Sequence, residues 1–156
     1  MTARLPAPTL EHICDLTVEV ARPLNLGHGR AGQRRVVPIV GGRVEGPRLN
    51  GKILNLGGDW LTVYDDGLAD LAARYMIETD DGALVEIRDE GFRHGPAEVM
   101  QRLAAGEDVA PEAYYMRSAA RLESGDPRYA WVNRTLFVGH SARIAGKIVI
   151  SLYAVT

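Results

Sequence analysis

Short runs of alternating apolar and polar residues, each cut off by a glycine- or aspartate-bearing turn, recur along almost the whole chain. Alternation with period two marks a strand with one inward face, and this constrains the fold more than any other feature. The first run shows it best: Leu10, His12, Cys14, Leu16, Val18 and Val20 share one side, opposite Glu11, Asp15, Thr17 and Glu19. The spacing predicts a strand over Leu10–Val20 that carries His12 and Cys14 to the apolar side. Further strands are expected at 34–40, in pieces through 41–60, and over 61–64, 71–79, 83–89, 114–122, 129–139 and 147–155. Pro38 makes the 34–40 run an edge or bulged strand. The turn signals are Asp65-Asp66-Gly67, Thr79-Asp80-Asp81-Gly82 and Ser124-Gly125-Asp126-Pro127.

Three segments break the pattern. Residues 1–9 carry two prolines and read as an irregular arm, with a single domain over 10–156. Residues 22–32 read as a glycine-rich loop that fits neither the P-loop nor the dinucleotide fingerprint. Pro96, the helical spacing of Val99, Met100 and Leu103, and Gly106 predict one short helix over 96–105. The expected fold is all-β: an antiparallel β-barrel of about eight to ten strands with one short inserted helix, able to enclose a small ligand.

The stretch from Tyr129 to Gly139 is the longest uninterrupted strand-like run. Read as a strand, it puts Tyr129, Trp131, Asn133, Thr135 and Phe137 on one face, mixing aromatics with hydrogen-bonding groups as a cavity wall does. A net charge of -2 gives no reason to expect nucleic acid. Cys14 is the only cysteine, which excludes an internal disulfide framework and a multi-cysteine metal site. The four histidines show no metal-ligand spacing, so neither metal nor cofactor is expected. No apolar run reaches the length of a membrane span and the first residues lack a signal-peptide core, so no membrane association is expected and cytoplasm is the default location.

Four segments, taken in order, carry a family resemblance: Gly-Gly-Arg-Val-Glu-Gly-Pro-Arg-Leu-Asn-Gly at 41–51, Gly-Gly-Asp-Trp at 57–60, Ala-Arg-Tyr-Met-Ile-Glu-Thr-Asp-Asp-Gly-Ala at 73–83, and the 129–139 run. Together they resemble the bacterial and fungal family called domain of unknown function 3237, from about Leu10 to Val155. The resemblance implies a small calycin-like barrel, often a homodimer, and brings no agreed activity. One departure is Leu-Asn-Leu-Gly-Gly-Asp-Trp at 54–60, where the family pattern is Leu-Pro-Gly-Gly-Ala-Asp-Trp; Asn55 stands in place of the proline.

The candidate catalytic groups are Asp59, Glu45, Arg74, Tyr129 and Asn133. A carboxylate in an apolar cavity can act as a base, and arginine, tyrosine and asparagine can donate to a developing enolate or phenolate oxygen. Trp60 and Trp131 can stack on a flat ring, with Tyr115, Arg117, Glu78 and His12 completing a small-molecule site. The set predicts a cofactor-independent lyase, dehydratase or isomerase acting by proton transfer on a small aromatic or carbonyl-containing metabolite. The alternatives are a non-catalytic carrier barrel and a scaffold that assembles through the 96–105 helix.

Overall fold

In the computed structural model, which describes residues 1–156, the alternating runs form nine antiparallel strands. They are β1 (Leu10–Val20), β2 (Leu24–His28), β3 (Gln33–Glu45), β4 (Gly51–Val63), β5 (Ala69–Thr79), β6 (Leu84–His94), β7 (Tyr115–Glu123), β8 (Phe137–Ile144) and β9 (Lys147–Val155). From β3 to β9 each strand pairs with the next. β1 then pairs with β9 on one side and β3 on the other, closing an eight-stranded barrel. Closure removes the free edges of those eight strands and forces side chains to alternate between interior and exterior. β2 lies outside the ring, against the first half of β3. No helix is long and apolar enough to cross a membrane.

The expected loop at 22–32 is corrected by β2, whose residues 24–28 find a ladder on Val36 to Gln33. The neighbouring strand decides this segment more than its glycines do. β3 also runs much further than 34–40. It passes Pro38 by breaking register with β4, from Pro38 opposite Gly58 to Arg43 opposite Lys52. Gly42 sits in that break at φ 142°, where a Cβ would strike the Thr17 carbonyl, so the corner needs glycine.

The larger correction concerns 129–139. Pro127–Arg134 is 3₁₀-helical, and β8 begins only at Phe137. The Asp126 side chain accepts from the Arg128 N–H at 2.9 Å, Pro127 occupies the first helical position, and Arg128 binds the Asp126 carboxylate at 2.8 and 3.0 Å. A capping aspartate followed by proline is a helix-start signal, and here it overrides the alternation. The face shared by Tyr129, Trp131, Asn133 and Thr135 therefore does not exist.

His12 is also turned. A bulge between His12 and Cys14 buries both Ile13 and Cys14 and leaves His12 outside, 3.1 Å from Asp15 and tilted against Tyr153. Cys14 is packed in, and burial pushes its thiol up to about 12, followed by the Asp15 charge.

The barrel is filled in two parts. Nineteen buried residues, among them Leu16, Val44, Leu49, Ile87, Phe137 and Leu152, fill the end covered by the 127–134 segment. A smaller cluster at the other end seats α1 (Ala97–Ala104), whose Val99 and Leu103 pack with Leu61, Leu71 and Met116.

Candidate functional site

Between the two apolar clusters each of four adjacent strands contributes a polar inward position. On β4, Asp59 separates Ile53 from Leu61. On β5, Tyr75 lies between Ile77 and Leu71. On β6, Asp89 follows Ile87, and on β7, Ser118 separates Ala120 from Met116. Register brings them together, because Asp59 and Asp89 both stand opposite Ala73, while Ser118 stands between Gly91 and Gly139. A Cβ on Gly139 would come within 2.6 Å of the Ser118 Oγ and 4.0 Å of the Asp89 Oδ2, so the glycine keeps this belt open.

The belt is under-bonded. Tyr75 Oη, Asp89 Oδ1 and Ser118 Oγ are buried without a hydrogen-bond partner in the chain. Buried polar groups are normally paired, and three orphans in one layer mark a place where water or a ligand supplies the missing bonds. Burial lifts the Asp89 carboxyl to about 6, and the Asp59 charge adds to this. The Ser118 hydroxyl pulls it back without completing a well-formed hydrogen bond.

Asp59 is likewise held above the usual carboxylate range by burial, opposed first by the Ala72 N–H at 2.8 Å and then by the Arg93 and Arg34 charges. Tyr75 is pushed well up by burial, then by Asp89, Cys14 and Asp59, and is a neutral donor at any ordinary pH. Asp59 and Arg93 are desolvated by surrounding protein yet only half-buried, so each keeps part of its surface uncovered by the chain. No three His, Cys, Asp or Glu side chains converge as a metal cage.

Of the residues singled out from sequence, only Asp59 reaches this belt. Arg74 points outward and binds Glu86 at 3.3 Å; Glu78 pairs with Lys52 at 3.5 Å; Glu45 is exposed beside Arg43. Trp60 is exposed on the outer face, and Tyr115, also outside, stacks on His94 with ring centroids 4.8 Å apart. Arg117 lies 5.3 Å over the Tyr115 ring and donates to the Met116 carbonyl. Trp131 is half-buried at the closed end beneath the Arg48 guanidinium, 3.8 Å from its centroid.

Asn133 clamps the chain, accepting from the Ser124 N–H at 2.9 Å and donating to its carbonyl at 2.8 Å. It also lines an open groove of about 460 Å³ with Glu86, Arg88 and Arg121, where Glu86 is already paired to Arg74 and Arg88. Tyr129 donates to Asp81 Oδ1 at 2.9 Å, bracing the β5–β6 turn from outside. Asp81 keeps Thr79 and Arg128 as partners, so Tyr129→Phe should cost about 1 kcal/mol in urea unfolding and leave any ligand affinity of the interior unchanged.

Of the residues missed, Tyr75, Asp89 and Ser118, Asp89 did leave a signal. Continuing the inward alternation Val85, Ile87 past residue 88 arrives at Asp89, a carboxylate on an otherwise apolar face.

Comparison with known proteins places this geometry in a family. The chain is 39% identical over 150 residues to the UPF0311 protein of Rhodopseudomonas palustris strain TIE-1, covering 95% of this chain and 98% of that one. Its fold matches the crystal structure of the conserved protein of unknown function RPA1785 from the same species with a TM-score of 0.93 at 36% identity, covering 97% of this chain and all of the other. A structure described as an enzyme from Penicillium herquei matches with a TM-score of 0.77 over the whole of both chains, and at 17% identity this likeness shows the fold alone. The model of the family described as protein of unknown function DUF3237 matches residues 8–155, and the chain belongs to that family.

Proposed function

We propose that the chain is a cofactor-independent enzyme, a lyase, dehydratase or isomerase, that moves a proton on a small aromatic or carbonyl-containing molecule held in the barrel interior. The observation that carries this reading is the pairing, in one buried layer, of an unpartnered carboxylate near neutrality and an unpartnered phenol. A base works best when its pKa lies close to the operating pH, and Asp89 at about 6 is ionised at neutral pH while still holding a proton well. It takes the proton from a C–H next to a carbonyl. The C–H electron pair moves onto the carbonyl oxygen, where the Tyr75 O–H donates to the developing enolate. Asp59, whose carboxyl also holds its proton above the usual range, is placed to return a proton or to assist a leaving group. Asp59 stays in the proposed site, with Tyr75 and Asp89 proposed in place of the outer residues.

The test needs no knowledge of the natural substrate. A panel of small aryl ketones and phenols is incubated with the protein in D₂O, and deuterium uptake is read by mass spectrometry. Uptake that depends on the wild-type protein, and that falls in Asp59→Asn, is the expected result. Tyr75→Phe should slow uptake by about 10²-fold. It should leave the fold at least as stable, because it removes a buried hydroxyl that has no partner. Ligands that bind the interior with no protein-dependent uptake would make this a carrier barrel instead.

A further inference from the structure

Resting on the reading of the interior as the site, we propose that its substrate is an organic acid whose carboxylate seats against Arg93, between Arg35 and Arg143. Arg93 lies on β6, four residues past Asp89 and on the same inward face, opposite buried Ala69 on one side and buried Met116 on the other. It takes part in no ion pair and its guanidinium makes no hydrogen bond in the chain. Several outer arginines, Arg43, Arg74, Arg88, Arg102 and Arg128, are each paired with a carboxylate, whereas those left unpaired outside stand in water. A guanidinium partly desolvated by protein and left without an anion is costly unless something else supplies the charge.

Its surroundings are short of negative charge. The groups that act on Arg93 are Asp59, Tyr114, Arg35 and Arg143. The Tyr114 hydroxyl already accepts from the Arg143 backbone N–H at 2.9 Å. Arg35 stands opposite Leu61 on the inward face of β3. Arg143 on β8 stands opposite Ile148 and reaches the Leu103 carbonyl of α1 at 3.3 Å. Arg35 and Arg143 thus add like charge around Arg93, and the one carboxylate that acts on it is Asp59, which itself also feels Arg34 and Asp70. Leu61, Leu71 and Met116 belong to the apolar cluster at the same end of the barrel. Planar, fork-shaped donors at an apolar end match a carboxylate carried on a flat apolar body.

Such a ligand places its acid group toward α1 and its carbon skeleton toward Tyr75 and Asp89. The negative charge of the bound acid then sits on the guanidiniums, away from the base, so proton removal does not set two anions side by side.

Benzoate and its neutral isostere benzamide, titrated calorimetrically at pH 7, test this directly. Benzoate should bind at least tenfold tighter than benzamide and weaken as salt is raised. Arg93→Met should lose that preference while melting higher than wild type without ligand, since it removes an unpaired, partly desolvated charge. Arg93→Lys, which keeps the charge, should retain part of the preference. Equal affinity for the two compounds, no binding of benzoate, or an undiminished preference in Arg93→Met each overturns the proposal. The acid seat and the chemistry fail separately: Asp59→Asn and Asp89→Asn should bind benzoate no worse than wild type. Benzoate selectivity without deuterium uptake on any ligand keeps the seat and removes the proton transfer. Uptake confined to neutral ketones does the reverse.

Discussion

Asp89→Asn should slow protein-dependent deuterium uptake by about 10²–10⁴-fold, the usual contribution of a positioned base, and should stabilise the fold above pH 6. The two effects have one cause. Burial raises the Asp89 carboxyl from 3.8 to about 6, so the folded chain holds this proton more tightly than the unfolded chain does. The stability this provides is fully present below pH 4 and is lost as pH rises through about 6. At about 1.4 kcal/mol per unit, ionising Asp89 in the folded state costs on the order of 3 kcal/mol.

Asparagine never incurs that cost, so the variant should gain on wild type between pH 4 and 7, up to about 2 kcal/mol once its own unpaired amide is counted. Activity must run the other way, rising with pH through about 6 as the base ionises. Urea unfolding of both proteins at pH 4 and pH 7.5 reads the first slope, and the pH profile of uptake reads the second. A variant that is equally stable relative to wild type at both pH values would mean that the carboxylate is solvated and not held in the belt.

Phe137→Ala should destabilise the fold by about 3–5 kcal/mol. Phe137 is 1% exposed, opens β8, and meets Trp131 at a centroid distance of 5.9 Å, so the 3₁₀ segment over the closed end rests on it. It also lies in the register row that runs from Asp89 through Ala120. A cavity at that position lets water approach the belt from below, and the raised Asp89 carboxyl should fall toward its ordinary value. The stability change comes from urea unfolding, and the carboxyl shift from the displaced pH profile of uptake. A loss under about 1 kcal/mol would show that the closed end is not part of the cooperative core.

The all-β barrel, the helix near 97–104 and most strand positions were legible because period-two alternation reports a local fact, namely which face is wet. The site was much less legible. Asp59 could be picked out as an acid beside a glycine pair, and it does face inward. Tyr129, Asn133 and Trp131 were drawn in by the same alternation rule, applied where Asp126 and Pro127 had already turned the backbone into a 3₁₀ segment. His12 was misplaced by one bulge, because a single extra residue exchanges the faces of everything before it. Arg74, Glu78 and Glu86 looked similar to Asp89 and Arg93 as letters. Alternation hinted at the inward turn of Asp89, but the register across β5, β6 and β7 is what brings it beside Tyr75 and Ser118. The absence of a partner, which distinguishes Tyr75, Asp89 and Arg93, is a property of the assembled interior and has no counterpart in sequence spacing.

The way the barrel closes has a consequence for how the belt forms as the chain folds. Asp59, Tyr75, Asp89 and Ser118 lie on β4 to β7, a run of neighbouring antiparallel strands that can pair through local contacts alone. The seam instead joins β1 to β9, more than a hundred residues apart in sequence, and such distant pairings form late. Until that seam zips, the half-built sheet leaves both aspartates in water with ordinary acidity. The final strand is then what raises the Asp89 carboxyl: in a refolding experiment, acquisition of secondary structure should precede the uptake of a proton by Asp89, and the lag between the two is the time the seam takes to close.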